Sequence, residues 1–469
     1  MKKKRKNLLA LMLGMAMAVQ IGTVPVHAES EYWPQEPDIP TPNAIVMEMN
    51  TGAVLYEKNA DEVHYPASIT KIMTALVALD NCKIDETVTF SADAVYKNEG
   101  NTSHISRDLG EQMTLEQCLY GMMLESANEC AYAIAEHVGG TEEKFVSMMN
   151  RKAQELGCKN THFHNTNGLP DEEHYTTARD MALISSAAYK NETFRIITGT
   201  GRYVIPPTNK HEDETILQNH HAMLYPLKTR KYLYDGCTGG KTGYTNAANN
   251  TLVTYAERDG MSLVCVVMNT DKPNHYVDTT TLLNYCFDNF QMLSIQENEK
   301  EYTDEKLNKS ESLQTKDAFV SIDKNGGIVL PKNVSFEQAE IKLSTENATE
   351  KIAGRLEYTY AGHQVGGADI IITGQKPETF PFDNTKDSKS GSKTLFIRGT
   401  VITIIVIIAV IALLILAASK YFAGNFQLRK IRISGKNPKL DGRYKTIKDT
   451  RKYRRKTKFP NWNNFKRKG

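Results

Sequence analysis

The sequence predicts an α/β (α+β) body over residues 43–295, a small all-β module over 318–374 and a membrane-spanning helix at 400–419. Three observations carry this. Strand-like segments stand at both ends of the body, around Ala44–Tyr56 and Thr251–Asn269, with a largely helical stretch from Thr114 to about Tyr189 between them. Residues 318–373 alternate apolar and polar, as in Arg355-Leu356-Glu357-Tyr358-Thr359-Tyr360. Val401 to Ser419 carries no charge and is almost wholly Val, Ile, Leu and Ala, long enough for a bilayer.

In chain order, residues 1–28 read as a secretory signal. Lys2, Lys3, Lys4, Arg5 and Lys6 precede an apolar run, and Val26-His27-Ala28 resembles a cleavage site. A proline-rich acidic spacer, 29–42, follows. Ala44-Ile45-Val46-Met47-Glu48-Met49, then Asn50-Thr51-Gly52, then Ala53-Val54-Leu55-Tyr56 reads strand, turn, strand. Pro66 suits a first helical turn, and Ile69, Ile72, Met73, Leu76 and Leu79 recur at helical spacing, which predicts one apolar side. The helical middle breaks at Ser126–Asn128, at Gly139-Gly140 and across Gly157 to Thr176. Asp259-Gly260 predicts a tight hairpin turn. A last helix spans roughly Asp278 to Phe290. A polar linker, 296–317, leads to the β module, and a Ser/Lys/Asp/Pro-rich stalk, 375–399, leads to the span.

The 469 residues suffice for two or three domains, and the net charge of +2 hides a partition. The signal carries +5 and the tail, 420–469, carries +16, which leaves −19 on residues 29–399. By the positive-inside rule the basic tail stays in the cytoplasm and the acidic body lies outside. An acidic body argues against nucleic acid as its partner, whereas the span and basic tail suit membrane lipid. The seven cysteines include no Cys-x-x-Cys spacing, so a structural zinc site is not expected, and few or no disulfides are. His162, His164 and His174 lie close together but lack a His-x-x-x-His pattern with a partner acid; no metal is expected.

Three short motifs carry the chemistry. Ser-x-x-Lys occurs three times, at Ser68/Lys71, Ser321/Lys324 and Ser390/Lys393, and only the first opens a helix near its start. Ser126-Ala127-Asn128 and Lys241-Thr242-Gly243 each occur once, in that order downstream. Residues three apart on a helix are neighbours, so Lys71 can take the proton of Ser68 if burial or a nearby cation keeps the lysine neutral. Ser126 can relay that proton toward a leaving amine. Asn128 can hold a substrate backbone and orient Lys71. Lys241 offers positive charge to a substrate carboxylate and helps keep Lys71 neutral; Thr242 can bond the same carboxylate. Gly243 leaves room for a substrate lying along the strand edge. Backbone N–H groups of Ser68 and Tyr244 are the expected oxyanion donors.

The residues Met49–Tyr56, Tyr65-Pro66-Ala67-Ser68, Thr161–Leu169, His174–Asp180 and Asp235–Thr245 go beyond these motifs. Together they resemble the exported D-alanyl-D-alanine carboxypeptidases, the low-molecular-mass penicillin-binding proteins of the serine penicillin-recognising superfamily. The resemblance covers 44 to about 290. It implies a β-lactamase/transpeptidase-like catalytic fold, removal of the terminal D-alanine from peptidoglycan stem pentapeptides, acylation of Ser68 by β-lactams, and no cofactor. The rival readings are a D,D-endopeptidase on cross-linked peptidoglycan, a β-lactamase, and a slow wall-binding scaffold. Two departures stand out. Ala248-Asn249-Asn250-Thr251 replaces the family's Ala-Gly-x-Cys, and His275 is nearest the place of a family arginine. A full span and basic tail also replace the family's amphipathic terminal helix.

Overall fold

The structure is a computed structural model that describes residues 32–97, 102–309, 313, 318–346 and 348–375. The expected signal, span and tail lie outside the described residues, as does the stalk beyond Gln375. Among the described residues no helix is long and apolar enough to cross a membrane.

A five-stranded antiparallel sheet organises the first body. Its strands are β1 (Asn43–Glu48), β2 (Val54–Lys58), β3 (Cys237–Thr245), β4 (Asn249–Arg258) and β5 (Met261–Thr270), in the order β2-β1-β5-β4-β3. Side chains alternate across a strand. Ile45, Met47, Val253, Tyr255, Val264 and Val266 therefore enter one core, and Ala44, Val46, Leu252, Ala256, Leu263 and Cys265 the other. Both faces are covered. Asp259 and Gly260 take φ of 52° and 79°, the mirror-image turn that suits a twisted two-residue hairpin. β3 and β2 are the two edge strands of the sheet.

The helices α1 (Lys71–Asn81), α2 (Leu115–Leu124), α3 (Asn128–Gly139), α4 (Glu142–Glu155) and α5 (Ala178–Tyr189) pack on the first face, with α6 (Glu192–Gly199); α7 (Asn274–Asn289) covers the second. Their ends are set locally. Thr114 and Gln117 form a capping box before α2, Thr141 and Thr177 accept backbone N–H bonds before α4 and α5, and Gly140 ends α3 in the left-handed region. α1 departs from the expected one-sided helix: Lys71 through Ala78 are all buried. Its polar residues are therefore paired, and the Thr74 hydroxyl donates to the Thr166 carbonyl at 2.6 Å.

A second antiparallel sheet comprises β6 (Phe290–Ser294), β7 (Ala318–Ile322), β8 (Gly327–Pro331), β9 (Glu340–Ser344), β10 (Ile352–Tyr360) and β11 (His363–Gln375), in the order β6-β8-β11-β10-β9 with β7 also on β11. Two expectations need correction here. β6, read as the end of the catalytic body, hydrogen-bonds to β8 across Phe290–Pro331 to Ser294–Gly327. Its five residues follow directly on α7 with no turn signal between them, so the sequence offers no boundary. The polar linker holds short helices at Ile295–Asn298 and Asp304–Lys309, and buries Leu307 and Leu313. The described part of the spacer also packs. Trp33 stacks on His363 with ring centroids 3.8 Å apart and tilts against Phe290, and the Tyr285 hydroxyl donates to the Pro34 carbonyl at 2.9 Å. Prolines keep this stretch out of the sheets without keeping its aromatics out of the core.

Candidate active site

Ser68 stands in a 3₁₀ turn, Ala67–Thr70, that leads straight into α1. Pro66 takes φ −74° and Ala67 the left-handed value of 53°, so the chain enters the turn sharply. In a 3₁₀ turn residues i and i+3 eclipse, which brings Ser68 and Lys71 together. Lys71 Nζ lies 3.1 Å from Ser68 Oγ, 2.8 Å from Asn128 Oδ1 and 2.6 Å from the Asn167 carbonyl oxygen. The other Ser-x-x-Lys described, Ser321/Lys324, begins in β7 and ends beyond it, with no such helix.

Lys71 is fully buried. Burial first, then the charge of Lys241, holds its amine well below the usual lysine range, while Glu129 and Cys130 pull the other way. A neutral amine has two N–H donors and one lone pair. In its neutral form this amine gives its two N–H donors to Asn128 Oδ1 and the Asn167 carbonyl and keeps its lone pair for the Ser68 hydroxyl proton.

Ser126 and Asn128 sit where α2 passes into α3. Ser126 takes φ 63°, and its buried hydroxyl has no hydrogen-bond partner among the described residues. The Asn128 amide donates to the Ser103 carbonyl at 2.9 Å, which fixes the start of α3. Lys241 is 2% exposed in mid-β3, and its Nζ donates to the Thr242 carbonyl at 3.0 Å. Burial lowers its amine to about 7, opposed by the Glu125 charge. Thr242 is partly exposed beside it. Gly243 comes against the nucleophile turn: a Cβ there would lie 2.9 Å from the Ser68 amide nitrogen and 2.3 Å from Thr251 Oγ1. The structure thus brings Ser68, Lys71 and Asn128 together, with Gly243 of β3 against the Ser68 turn; Ser126 adjoins Asn128, and Lys241 and Thr242 adjoin Gly243, along the chain.

The sequence missed four contributors. The Asn167 carbonyl is a main-chain group that no residue type announces. Thr251, standing where the family has cysteine, donates from Oγ1 to the Pro66 carbonyl at 2.8 Å and ties β4 to the nucleophile turn. Asn249 takes φ 55°, the left-handed conformation an asparagine tolerates, so the family's glycine is not needed there. His174 is buried, with Nε2 2.9 Å from Thr70 Oγ1 and Nδ1 accepting from the His164 and Asn165 amides at 3.1 and 3.3 Å. Both ring nitrogens are thereby occupied within the protein. His275 is buried against Tyr276.

Among the described residues, one group of candidate metal ligands gathers: Cys82, Glu86 and His137, their ligand atoms within 4.8 Å of one another. It lies past the C-terminal end of α1, away from Ser68, and Glu86 and His137 already pair at 3.0 Å. All seven cysteines are free thiols.

The sequence pattern of the D-alanyl-D-alanine carboxypeptidases matches residues 30–272. The chain is 36% identical over 255 residues to the D-alanyl-D-alanine carboxypeptidase DacF of Bacillus subtilis (strain 168), covering 53% of this chain and 62% of that one, just under two thirds of its length. It is 33% identical over 267 residues to the D-alanyl-D-alanine carboxypeptidase of Streptomyces sp. (strain K15), covering 54% of this chain and 89% of that relative. The crystal structure of the Streptomyces K15 DD-transpeptidase shares the α+β transpeptidase-like fold at a TM-score of 0.50 and 33% identity, over 54% of this chain and 100% of that one. With the family pattern spanning more than half its length and lying over the cleft just described, this chain belongs to the D-alanyl-D-alanine carboxypeptidase family.

Proposed function

We propose that this chain is a serine carboxypeptidase that removes the terminal D-alanine from peptidoglycan stem pentapeptides through an acyl-enzyme on Ser68. Lys71 accepts the proton of Ser68 Oγ as that oxygen bonds to the carbonyl carbon of the penultimate D-alanine. The proton passes by way of the Ser126 hydroxyl to the leaving amine as the C–N bond breaks. Water then attacks the ester, with Lys71 as base, and frees Ser68. Asn128 holds the substrate backbone and the Lys71 amine. Lys241 and Thr242 bind the terminal carboxylate, and Gly243 lets the peptide run along the open edge of β3. The amides of Ser68 and Tyr244 take the developing oxyanion. A β-lactam, which carries both the carbonyl and the carboxylate, acylates Ser68 by the same first step.

The observation that carries this reading is the buried Lys71 amine, 3.1 Å from Ser68 Oγ with its N–H donors already engaged. The charge partition and the uncharged run support an extracytoplasmic catalytic body, anchored by 400–419, with the basic tail 420–469 in the cytoplasm against anionic lipid.

The test is release of free D-alanine from a pentapeptide ending in D-Ala-D-Ala by the detergent-solubilised full chain, against Ser68→Ala. Release by the parent alone is expected. No release, with Ser68 still acylated by benzylpenicillin, points instead to a D,D-endopeptidase on the cross-link or to a slow wall-binding scaffold. Neither release nor acylation overturns the reading.

A further inference from the structure

Past the C-terminal end of α1, three side chains of different chemistry meet. Cys82, Glu86 and His137 each bring one donor atom, and the three atoms lie within 4.8 Å of one another. Cys82 closes α1, Glu86 directly precedes the short strand Thr87–Thr89, and His137 stands in the last turn of α3. His137 Nε2 is 3.0 Å from Glu86 Oε2. Nitrogen and oxygen ligands on one tetrahedral zinc stand about 3.3 Å apart, given bond lengths of about 2.0–2.1 Å. The observed spacing therefore serves a hydrogen bond without a metal and shared coordination with one.

The main chain of the cluster is held by its own hydrogen bonds. The Cys82 amide donates to the Ala78 carbonyl at 3.0 Å and the Glu86 amide to the Lys83 carbonyl at 3.2 Å. The Glu86 carbonyl accepts the Leu115 amide at 2.8 Å, at the start of α2. Glu86 Oε1 accepts the Lys83 amide at 2.7 Å, which leaves Oε2 toward His137. An outer hydrogen bond of this kind orients a carboxylate for a metal. Glu86 and His137 are 39% and 23% exposed, so water can reach the cluster and supply a fourth ligand. The donor set selects the ion. A thiolate disfavours magnesium and calcium, and thiolate, imidazole and carboxylate together suit zinc.

We propose that Cys82, Glu86 and His137 form a zinc site, with water in the fourth place, that clips the C-terminal ends of α1 and α3 together. On binding, the Cys82 thiol gives its proton to solvent and the sulfur binds as thiolate. The imidazole binds as the neutral ring through Nε2, with its proton on Nδ1. The same two helices begin at Lys71 and Asn128, at their other ends. The ion thus acts on the stability of this helix pair and takes no part in the chemistry at Ser68. Glu86 and His137 are 51 residues apart in sequence, so the set forms no short zinc motif.

The test uses the detergent-solubilised full chain, stripped of metal with a chelator, and zinc chloride alone as the probe. Calorimetry is expected to show one zinc lost with either Cys82→Ser or His137→Gln, each weakening that binding about 100-fold. Zinc at about 100 times its Kd is expected to raise the thermal midpoint of the parent by about 5 °C. Cobalt(II) in place of zinc is expected to show thiolate-to-metal absorption in the near ultraviolet, absent from Cys82→Ser. Cys158→Ser, which alters another partly exposed thiol, is expected to leave affinity and spectrum unchanged. Midpoints equal to the parent's in chelator show that a variant keeps the fold, and where one variant unfolds the other decides. A chain that binds no zinc overturns the proposal. So does zinc affinity that survives the substitutions, or cobalt binding without thiolate absorption. None of these readouts depends on D-alanine release, so they stand apart from the carboxypeptidase reading.

Discussion

Lys71 Nζ stands 2.6 Å from the main-chain carbonyl oxygen of Asn167, 96 residues further along the chain. The loop that carries this carbonyl is pressed onto the nucleophile turn. Gly168 has φ 89°, and a Cβ there would come within 1.9 Å of the Ala67 carbonyl oxygen. One contact therefore positions both the base and the turn that holds Ser68.

Gly168→Ala is expected to push the loop off the turn. Backbone strain and the clash together cost about 3 kcal/mol or more. Acylation of Ser68 by benzylpenicillin is expected to fall about 100-fold, since a shift of about 1 Å in a catalytic group suffices for that. Stopped-flow acylation and denaturant unfolding of the same protein check the two effects.

The two lysines must differ in charge, which fixes the pH dependence. The proposed mechanism needs neutral Lys71 and cationic Lys241. The amine of Lys241 is lowered from 10.5 to about 7, so KM for a carboxylate-bearing peptide is expected to rise as pH climbs above about 7. Stability takes the opposite sign. Between these two values the unfolded chain binds a proton that the folded chain does not, so this group's contribution is full above 10.5 and is lost as pH falls through about 7. A KM–pH series and unfolding midpoints across that window, each against Lys241→Gln, check both signs.

Thr251→Val removes the donor to the Pro66 carbonyl while keeping the shape. A buried acceptor left unpaired costs about 1–3 kcal/mol, and the loosened turn is expected to slow acylation. At Asn249, glycine is expected to change stability by less than about 1 kcal/mol, whereas valine in the left-handed region costs about 1–2 kcal/mol. Unfolding midpoints of the three variants rank these effects.

His174 accepts two amides at Nδ1, so its proton sits on Nε2 and is donated to Thr70 Oγ1. Burial is the main cause that lowers this ring to about 3 from 6.5. On acidification the unfolded chain takes up a proton first, so stability present above about 6.5 is lost as pH falls toward about 3. His221, lowered by burial to about 4, adds the same sign. Unfolding midpoints are expected to fall steadily below pH 6.5, and His174→Gln to flatten that slope while lowering the midpoint near neutrality.

The sequence by itself determined the residue types of the chemistry and the local elements that carry them. Ser68, Lys71, Ser126, Asn128, Lys241, Thr242 and Gly243 stand out in the sequence because the proposed nucleophile, base and carboxylate binder each demand particular side chains in a particular order. The β4–β5 hairpin was legible because Asp259-Gly260 and a period of two are short-range signals. Only the tertiary structure decided what those groups can do. What lowers the Lys71 amine is burial first and the charge of Lys241 next, and one of the acceptors that orient it is a backbone carbonyl, which every residue has and no sequence marks. β6 joined the second sheet because its partner strand, β8, lies beyond an intervening linker, where local patterning carries no information about pairing. Thr251 and His174 act through contacts with Pro66 and Thr70, 185 and 104 residues away in sequence, and at such separations only packing brings groups within hydrogen-bond reach.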